Sequence, residues 1–576
     1  MKLILLLLFV SLLSTITSYS QGEQFTKTVI NSAYNFEHPF DMFLGPDDSL
    51  WVNERSGLIS KVHKTNGGRR IVLNIKNQVT FTRSFSGSTV TGIAQDGMFG
   101  MALHPMAMKG MGKDSLYVAY CYNGAASRKT KIVKFYCNPN NNLLTNETVL
   151  IQDLPGSNDH NGGKLVFGPD LEIYYSCGDQ GANQFGNACV ALKSQLDITS
   201  AQLLAGNYAN YAGHILRINT DGTVPLDNPL FSSVRSHVYS KGHRNPQGLV
   251  WQKNVWGDVP SNGFLYESEQ GAVIDDEVNI IESGKNYGWP FISGYNDDVF
   301  YTYKNWSVSS GCGSYSGECA TAGDMTGANA PKAESSFLPA SNYTSAIMSQ
   351  KAVATPDCSD YLLRPTVAWS SIEFYNPYIG IPGWSNSLLL TTLKNSSLLR
   401  YKLNASGNAI VGDTIQYFRN SAQLNRFRDI AIGSDGITLY MITDSLGATS
   451  GVTAGGGTGT GGSITDRGKL LAYRYTGTAQ VLSLTPNQQY TANRDNILNI
   501  YPNPATDYIT VNTKYTENKP YTLKLINSLG VVIVQTSITS NIQNVNLTKL
   551  ANGHYVAIMY NRNNIEISKK KLVVQH

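Results

Sequence analysis

Short runs in which apolar and polar residues alternate dominate this chain, and most of them follow a turn. Gly45-Pro-Asp-Asp-Ser-Leu-Trp-Val-Asn-Glu54 sets the pattern. It returns as Lys113-Asp-Ser-Leu-Tyr-Val-Ala-Tyr120, Gly168-Pro-Asp-Leu-Glu-Ile-Tyr-Tyr175 and Gly433-Ser-Asp-Gly-Ile-Thr-Leu-Tyr-Met-Ile442. Pro-Asp and Asp-Gly make the turn, and the residues after it alternate between two faces, as a half-buried strand does. Helical periodicity is almost absent. Strands at this density predict an all-β chain of repeated four-stranded blades around an axis, with a tandem of β-sandwiches as the alternative. Residues 449–463 are rich in Gly and Thr and read as a flexible loop inside the last repeat, because a strand-like run follows at 469–475. Residues 477–495 are polar, without a clear period, and read as a linker. Six further strand-like runs lie between 508 and 574, enough for a small second β-sandwich over 496–576.

Length agrees with this division, since 576 residues exceed what one core needs. The formal charge of +4 is small for that length and has no long basic run behind it, which excludes nucleic acid as the main partner. Residues 1–20 read as a secretory signal: Lys2, an apolar run over 3–13 too short to span a membrane, and small residues before Gln21. No later segment is apolar enough to cross, so an exported, soluble protein is expected. Of seven cysteines, an odd number in an oxidising compartment, Cys312 and Cys319 form the expected local disulfide. No Cys/His spacing matches a zinc site.

The candidate chemistry lies at Ser157-Asn-Asp-His-Asn161 and Gly178-Asp-Gln-Gly181. His160 is a candidate general base, Asp179 a carboxylate able to orient it, and Asp159 a second polar contact. Gly242-His-Arg-Asn-Pro-Gln-Gly248 offers Arg244, Asn245 and Gln247 in one turn-like stretch, where an arginine can stabilise developing negative charge. Glu269-Gln-Gly-Ala-Val-Ile-Asp-Asp-Glu277, Asn286-Tyr-Gly-Trp-Pro290 and Gly294-Tyr-Asn-Asp-Asp298 are rich in hard oxygen donors and free of thiolate and imidazole, a composition that favours calcium. No Gly-x-Gly-x-x-Gly element opens a helix after a strand, so nicotinamide is not expected.

Taken in order, 158–184, 214–227, 242–248, 268–298 and 425–429 resemble the soluble, pyrroloquinoline quinone (PQQ)-dependent glucose dehydrogenases and the wider glucose/sorbosone dehydrogenase family. The resemblance spans 24–476 and implies a six-bladed β-propeller with PQQ in its axial mouth. It implies His160 as the base, Asp179 as its support, Arg244 beside the quinone oxygen and Asn245 on the cofactor. PQQ carries three carboxylates, and Asn425-Arg-Phe-Arg-Asp429 supplies Arg426 and Arg428 on one face of a strand. Lys394 and Thr366 fit the family's remaining cofactor contacts. One calcium is implied on the carbonyls of Gly271 and Ala272, where the family often has proline at the second place. A second is implied on Glu277 and Asp297 with the carbonyls of Tyr287, Ser293 and Tyr295. Gln95, Gln184, Phe185 and Tyr361 match substrate-lining positions. Arg364 stands where glucose-oxidising members carry tryptophan, which points to an aldose or oligosaccharide with an acidic group as an alternative to plain glucose.

The tail is similar to type IX secretion sorting domains in Tyr501-Pro-Asn-Pro-Ala-Thr-Asp507, Leu550-Ala-Asn-Gly-His-Tyr-Val556 and Lys569-Lys-Lys571. That implies export by the type IX machinery to the cell surface or beyond, whereas strand content alone also suits a carbohydrate- or partner-binding module. The expectation is a sugar dehydrogenase passing electrons to an external acceptor. Its rivals are a calcium-bearing propeller hydrolase and a non-catalytic sugar-binding surface protein.

Overall fold

The computed structural model describes residues 22–86, 89–109, 112–255, 257–309, 311–312, 330–337, 341–350, 354–356, 358, 364–419, 423–445, 463–482, 498–513, 520–527, 532–560 and 566–576. The expected signal, the loop at 449–463 but for its last residue, and Tyr361 lie outside them. Two compact units divide the chain, one up to Leu482 and one from Ser483 onward.

In the first unit, the described residues form six four-stranded antiparallel sheets. Their first strands are Pro39–Leu44, Met98–Leu103, Gly162–Phe167, Pro246–Trp251, Trp369–Tyr375 and Phe427–Ile432. Each first strand packs against the first strand of the next sheet, and the sixth returns to the first, so the sheets close into a ring. The closing sheet mixes the two ends of the unit: Phe25–Val29 pairs with Leu470–Tyr475, Phe25 opposite Tyr475. One apolar cluster fills each gap between neighbouring sheets, for example Trp51, Ile59 and Val118 between the first two. The repeated turn phrase supplies the second strand of four sheets, Ser49–Glu54, Ser115–Asn123, Ile173–Cys177 and Thr438–Thr443. Gly45 N–H donates to Ser49 O (2.8 Å), and Gly433 N–H to Thr438 O (2.7 Å), closing equivalent turns.

Every first strand is irregular at its start. Its pairing with the second strand slips within residues 39–42, 98–101, 162–165, 246–248, 369–371 and 427–429. Such bulges bend a strand and re-aim its side chains. Asp41, Lys164, Gln247 and Arg428 all sit in them, and all but the partly exposed Lys164 are buried. Asn53 and Ser176, opposite two of the bulges, accept the freed N–H groups of Asp41 (2.9 Å) and Lys164 (2.9 Å).

The second unit has a three-stranded and a four-stranded sheet around one core that includes Leu498, Ile509, Val511, Leu523, Leu525, Ala557, Met559 and Leu572. Tyr508–Thr513 alternates exposed and buried positions as its sequence does.

One expectation fails. Cys312 bonds to Cys189, 123 residues away, and not to Cys319, which lies outside the described residues. Spacing favours the short loop, but the fold brings 183–189 against 304–312. Asn183 Nδ2 donates to Lys304 O (2.7 Å), and Ser307 N–H donates to Asn183 Oδ1 (3.0 Å). Cys121, Cys137 and Cys177 are free and buried.

Candidate active site

The loop entering the third sheet holds His160 at a positive φ of 43°. Asn161 fixes that loop: its Oδ1 accepts Ser157 N–H (3.0 Å), and its Nδ2 donates to Ser157 O (2.9 Å) and Gln95 O (3.0 Å). The facing Gly178 must lack a side chain, because a Cβ there would lie 2.0 Å from His160 O.

His160 Nδ1 lies 2.9 Å from Asp179 Oδ1. Asp179 is buried and also accepts Gly181 N–H (2.9 Å) and the indole N–H of Trp289 (2.9 Å). Gln184 Nε2 lies over the imidazole face, 3.1 Å from His160 Nε2 and 3.4 Å from Nδ1. The orientation of that amide follows from its neighbours. Oε1 accepts Arg244 Nη2 (2.9 Å), and Nε2 donates to Asp159 Oδ2 (3.1 Å). A carboxylate only accepts, so the contact with Asp179 Oδ1 places a proton on His160 Nδ1 and favours the tautomer whose Nε2 carries the lone pair. Gln95 Nε2 donates to Asp159 Oδ1 (2.5 Å), completing this corner.

Arg244 reaches the same group from the fourth sheet. Its guanidinium lies over the Trp289 ring (5.3 Å) and donates to Gln270 O (3.0 Å). Asn245 Oδ1 accepts Gly162 N–H (3.2 Å) and Gln247 Nε2 (3.1 Å), and Gln247 Oε1 accepts Arg428 Nη1 (3.3 Å). The polar network therefore runs from His160 to the sixth sheet.

There the charges are one-sided. Arg55, Arg426 and Arg428 are all buried. Asp444 accepts Arg428 Nη2 (2.6 Å) and lies 3.9 Å from Arg426 Nη2. Despite its burial, Arg428 leads in holding its carboxyl far below the usual range. Asp96, whose backbone carbonyl accepts Arg55 Nε (2.9 Å), is already paired with Arg128 (3.0 Å). Burial pulls Arg55 and Arg426 down to about 10, and for Arg55 the charge of Arg428 adds to it. Arg428 Nε is buried without a hydrogen-bond partner. Lys394 donates to Arg364 O (2.6 Å) and Thr366 Oγ1 (3.0 Å), and Asn425 N–H donates to Ser396 Oγ (2.6 Å), which puts that loop beside the arginines. A cluster of buried guanidinium groups suits an anion.

Oxygen donors gather on the far side of Arg244. Asp276 accepts the N–H groups of Gly271 (2.9 Å), Val367 (2.6 Å) and Ala368 (2.9 Å), tying the 271–272 turn to the fifth sheet. Glu277 is buried and accepts Gly294 N–H (2.6 Å). Burial, then the charge of Glu269, holds Glu277 well above the usual carboxyl range. Tyr287 and Ser293 are buried, while Tyr295 and Asp297 are exposed.

A family model for glucose/sorbosone dehydrogenases matches residues 36–310 and 338–450. The chain belongs to the glucose/sorbosone dehydrogenase family. It is 33% identical over 444 residues to quinoprotein glucose dehydrogenase B of Acinetobacter calcoaceticus, covering 74% of this chain and 87% of that protein. It is 26% identical over 305 residues to the aldose sugar dehydrogenase YliI of Escherichia coli, covering 52% and 62%. A solved glucose dehydrogenase structure has the same fold, with a TM-score of 0.51 at 20% identity, covering 79% of this chain and 99% of that one. A second model, the secretion system C-terminal sorting domain, matches 499–575. Among the described residues, no helix is long and apolar enough to cross a membrane.

The structure brings His160, Asp179, Asp159, Gln95, Gln184, Arg244, Asn245, Gln247 and Arg428 into one hydrogen-bonded network, with partners that the sequence did not single out. Arg55 closes an ordinary strand-turn phrase, and nothing local marks it as buried. Trp289 was read only as part of an oxygen-rich stretch. Asp444 lies 16 residues from Arg428, and Glu334, which accepts Ser293 N–H (2.8 Å), lies 41 residues from it. Of Phe185, only the backbone turn Phe185–Asn187 is described.

Proposed function

We propose that this family member is an exported quinoprotein that oxidises the C1 hydroxyl of an aldose to a lactone. In this reading the ring of sheets is a six-bladed β-propeller, spanning 24–476, and the tail is a β-sandwich read by the type IX machinery. The observation that carries the proposal is the cluster of buried guanidinium groups at Arg55, Arg426 and Arg428, linked through Gln247 and Asn245 to the loop of a carboxylate-oriented imidazole. Tricarboxylate PQQ fits it, with Arg426, Arg428, Lys394 and Thr366 holding carboxylates and Asn245 and Gln247 the polar edge. Bound there, PQQ would supply a two-electron acceptor for the hydride from C1.

His160 Nε2, the ring nitrogen that Asp179 does not hold, takes the hydroxyl proton. Asp179 stabilises the resulting imidazolium, and the Trp289 and Gly181 donors keep Asp179 aimed at it. Arg244 faces the negative charge that develops on the acceptor. Gln95, Asp159 and Gln184 are the candidate contacts for the remaining sugar hydroxyls, together with Phe185, Tyr361 and Arg364. The all-oxygen set fits calcium: the carbonyls of Gly271 and Ala272 on the cofactor side, and Glu277 and Asp297 with the carbonyls of Tyr287, Ser293 and Tyr295 for a second ion. Electrons leave to an external acceptor.

The test is to load the protein with PQQ and calcium and screen sugars by dye reduction. His160→Ala is expected to lose turnover by about 10²–10⁴-fold and keep cofactor absorbance. Unchanged turnover in that variant rejects the base.

A further inference from the structure

Beneath Arg244 lies a group of side chains that the sugar chemistry does not use. Glu267 and Glu269 sit on one face of Leu265–Glu269, and His243 lies against them; none is more than 2% exposed. One ligand atom from each of the three lies within 4.8 Å of the others. Glu267 Oε1 and His243 Nδ1 have no hydrogen-bond partner, and Nδ1 stops 3.5 Å from Glu269 Oε1. The other oxygens are held. Asn279 Nδ2 donates to Glu267 Oε2 (3.0 Å) and more weakly to Glu269 Oε1 (3.4 Å) and Glu277 Oε2 (3.2 Å), and Glu269 Oε2 accepts Arg244 N–H (2.6 Å). His243 Nε2 is 2.9 Å from Ser240 Oγ, and the ring stacks on Tyr287 at 4.8 Å. Two buried carboxylates facing an imidazole nitrogen that has no hydrogen-bond partner are costly unless something positive joins them.

We propose that His243 Nδ1, Glu267 and Glu269 hold a divalent first-row transition ion, separate from the calcium positions around 271–297. Imidazole selects such an ion over calcium. Ser240 Oγ can accept from Nε2–H in the tautomer that offers Nδ1 to an ion, and Asn279 and the Arg244 backbone orient the carboxylates, as outer partners do at metal centres. The ion joins the turn that carries Arg244 to the neighbouring strand, and does not depend on the sugar reaction.

Manganese(II) is the probe. The full chain is stripped with chelator, refilled with excess Ca²⁺ to occupy all-oxygen sites, then given Mn²⁺. One Mn²⁺ per chain is expected to remain, with nitrogen modulation in its electron spin-echo signal. His243→Gln loses the nitrogen signal, and Glu267→Gln loses the ion. Stripped Glu267→Gln melts at or above wild type, because a buried uncompensated charge is gone; Mn²⁺ raises the midpoint of wild type alone. No retained Mn²⁺ in wild type, a signal without nitrogen, or full retention in Glu267→Gln overturns the proposal. Should His243→Gln fail to fold, the Glu267→Gln retention and melting results decide alone.

Discussion

Trp289 does two jobs at the scale of single residues. Its indole N–H holds Asp179 at 2.9 Å, and its ring carries the Arg244 guanidinium. Trp289→Phe keeps the ring and removes the donor. Asp179 Oδ2 then loses its donor and the carboxylate is less firmly aimed at His160 Nδ1. The expected result is a kcat lower by about tenfold, read in steady-state kinetics. An unchanged kcat would mean that the indole only packs. His160, Asp179 and Arg244 were legible because each sits in a distinctive local phrase. Trp289, Arg55 and Asp444 were not, because their roles arise from neighbours tens to hundreds of residues away.

Elements set the geometry that those residues need. The two loops at the entrance of the third sheet touch backbone to backbone at Gly178 and His160. Gly178→Ala puts a methyl where His160 O lies. We expect a loss of about 1–3 kcal/mol, seen in urea melts, and a larger fall in turnover as the His160–Asp179 pair separates. The loop 293–298 is organised by carboxylates. Glu334 accepts Ser293 N–H (2.8 Å) and Asp298 N–H (3.0 Å), and burial pushes its carboxyl up to about 7. Asp275 is likewise raised to about 7, by burial first, with Asp297 and Asp276 adding repulsion. Unfolded carboxyls ionise near pH 4. Between about 4 and 7 the folded chain therefore holds more protons, and stability falls as pH rises through that window. Thermal midpoints of the metal-stripped protein should decline from pH 4 to 7, and calcium should flatten the decline. A stripped protein that gains stability over that range contradicts this reading.

The whole ring is pinned near its axis by charge as well as by apolar packing. Lys164, in the bulge of the third sheet, donates to Asp41 of the first (2.5 Å) and Asp429 of the sixth (3.2 Å). Asp41 also accepts Met101 N–H from the second sheet (2.7 Å), and Asp429 accepts Met42 N–H (2.7 Å). Burial pushes Asp41 up to about 7; the two carboxylates hold the Lys164 ammonium above its ordinary value against the pull of burial. Lys164→Met leaves two carboxylates buried without their cation and should cost about 3–5 kcal/mol, measured by denaturant melts. A loss below about 1 kcal/mol would make the triad a bystander.

Local pattern alone determined that the chain is built of strands, where four of the second strands begin and that a separate strand-rich tail follows; the histidine and the arginine pair came from the family resemblance. The strand properties depend on alternation and on turn residues, which act over a few positions. Tertiary structure decided the ring closure by Phe25–Val29, the Cys189–Cys312 bond, the bulges that turn Asp41, Lys164, Gln247 and Arg428 inward, and the company His243 keeps with Glu267 and Glu269. Each of these depends on burial and on contacts between distant segments, and alternation carries no record of which distant segment a side chain will meet.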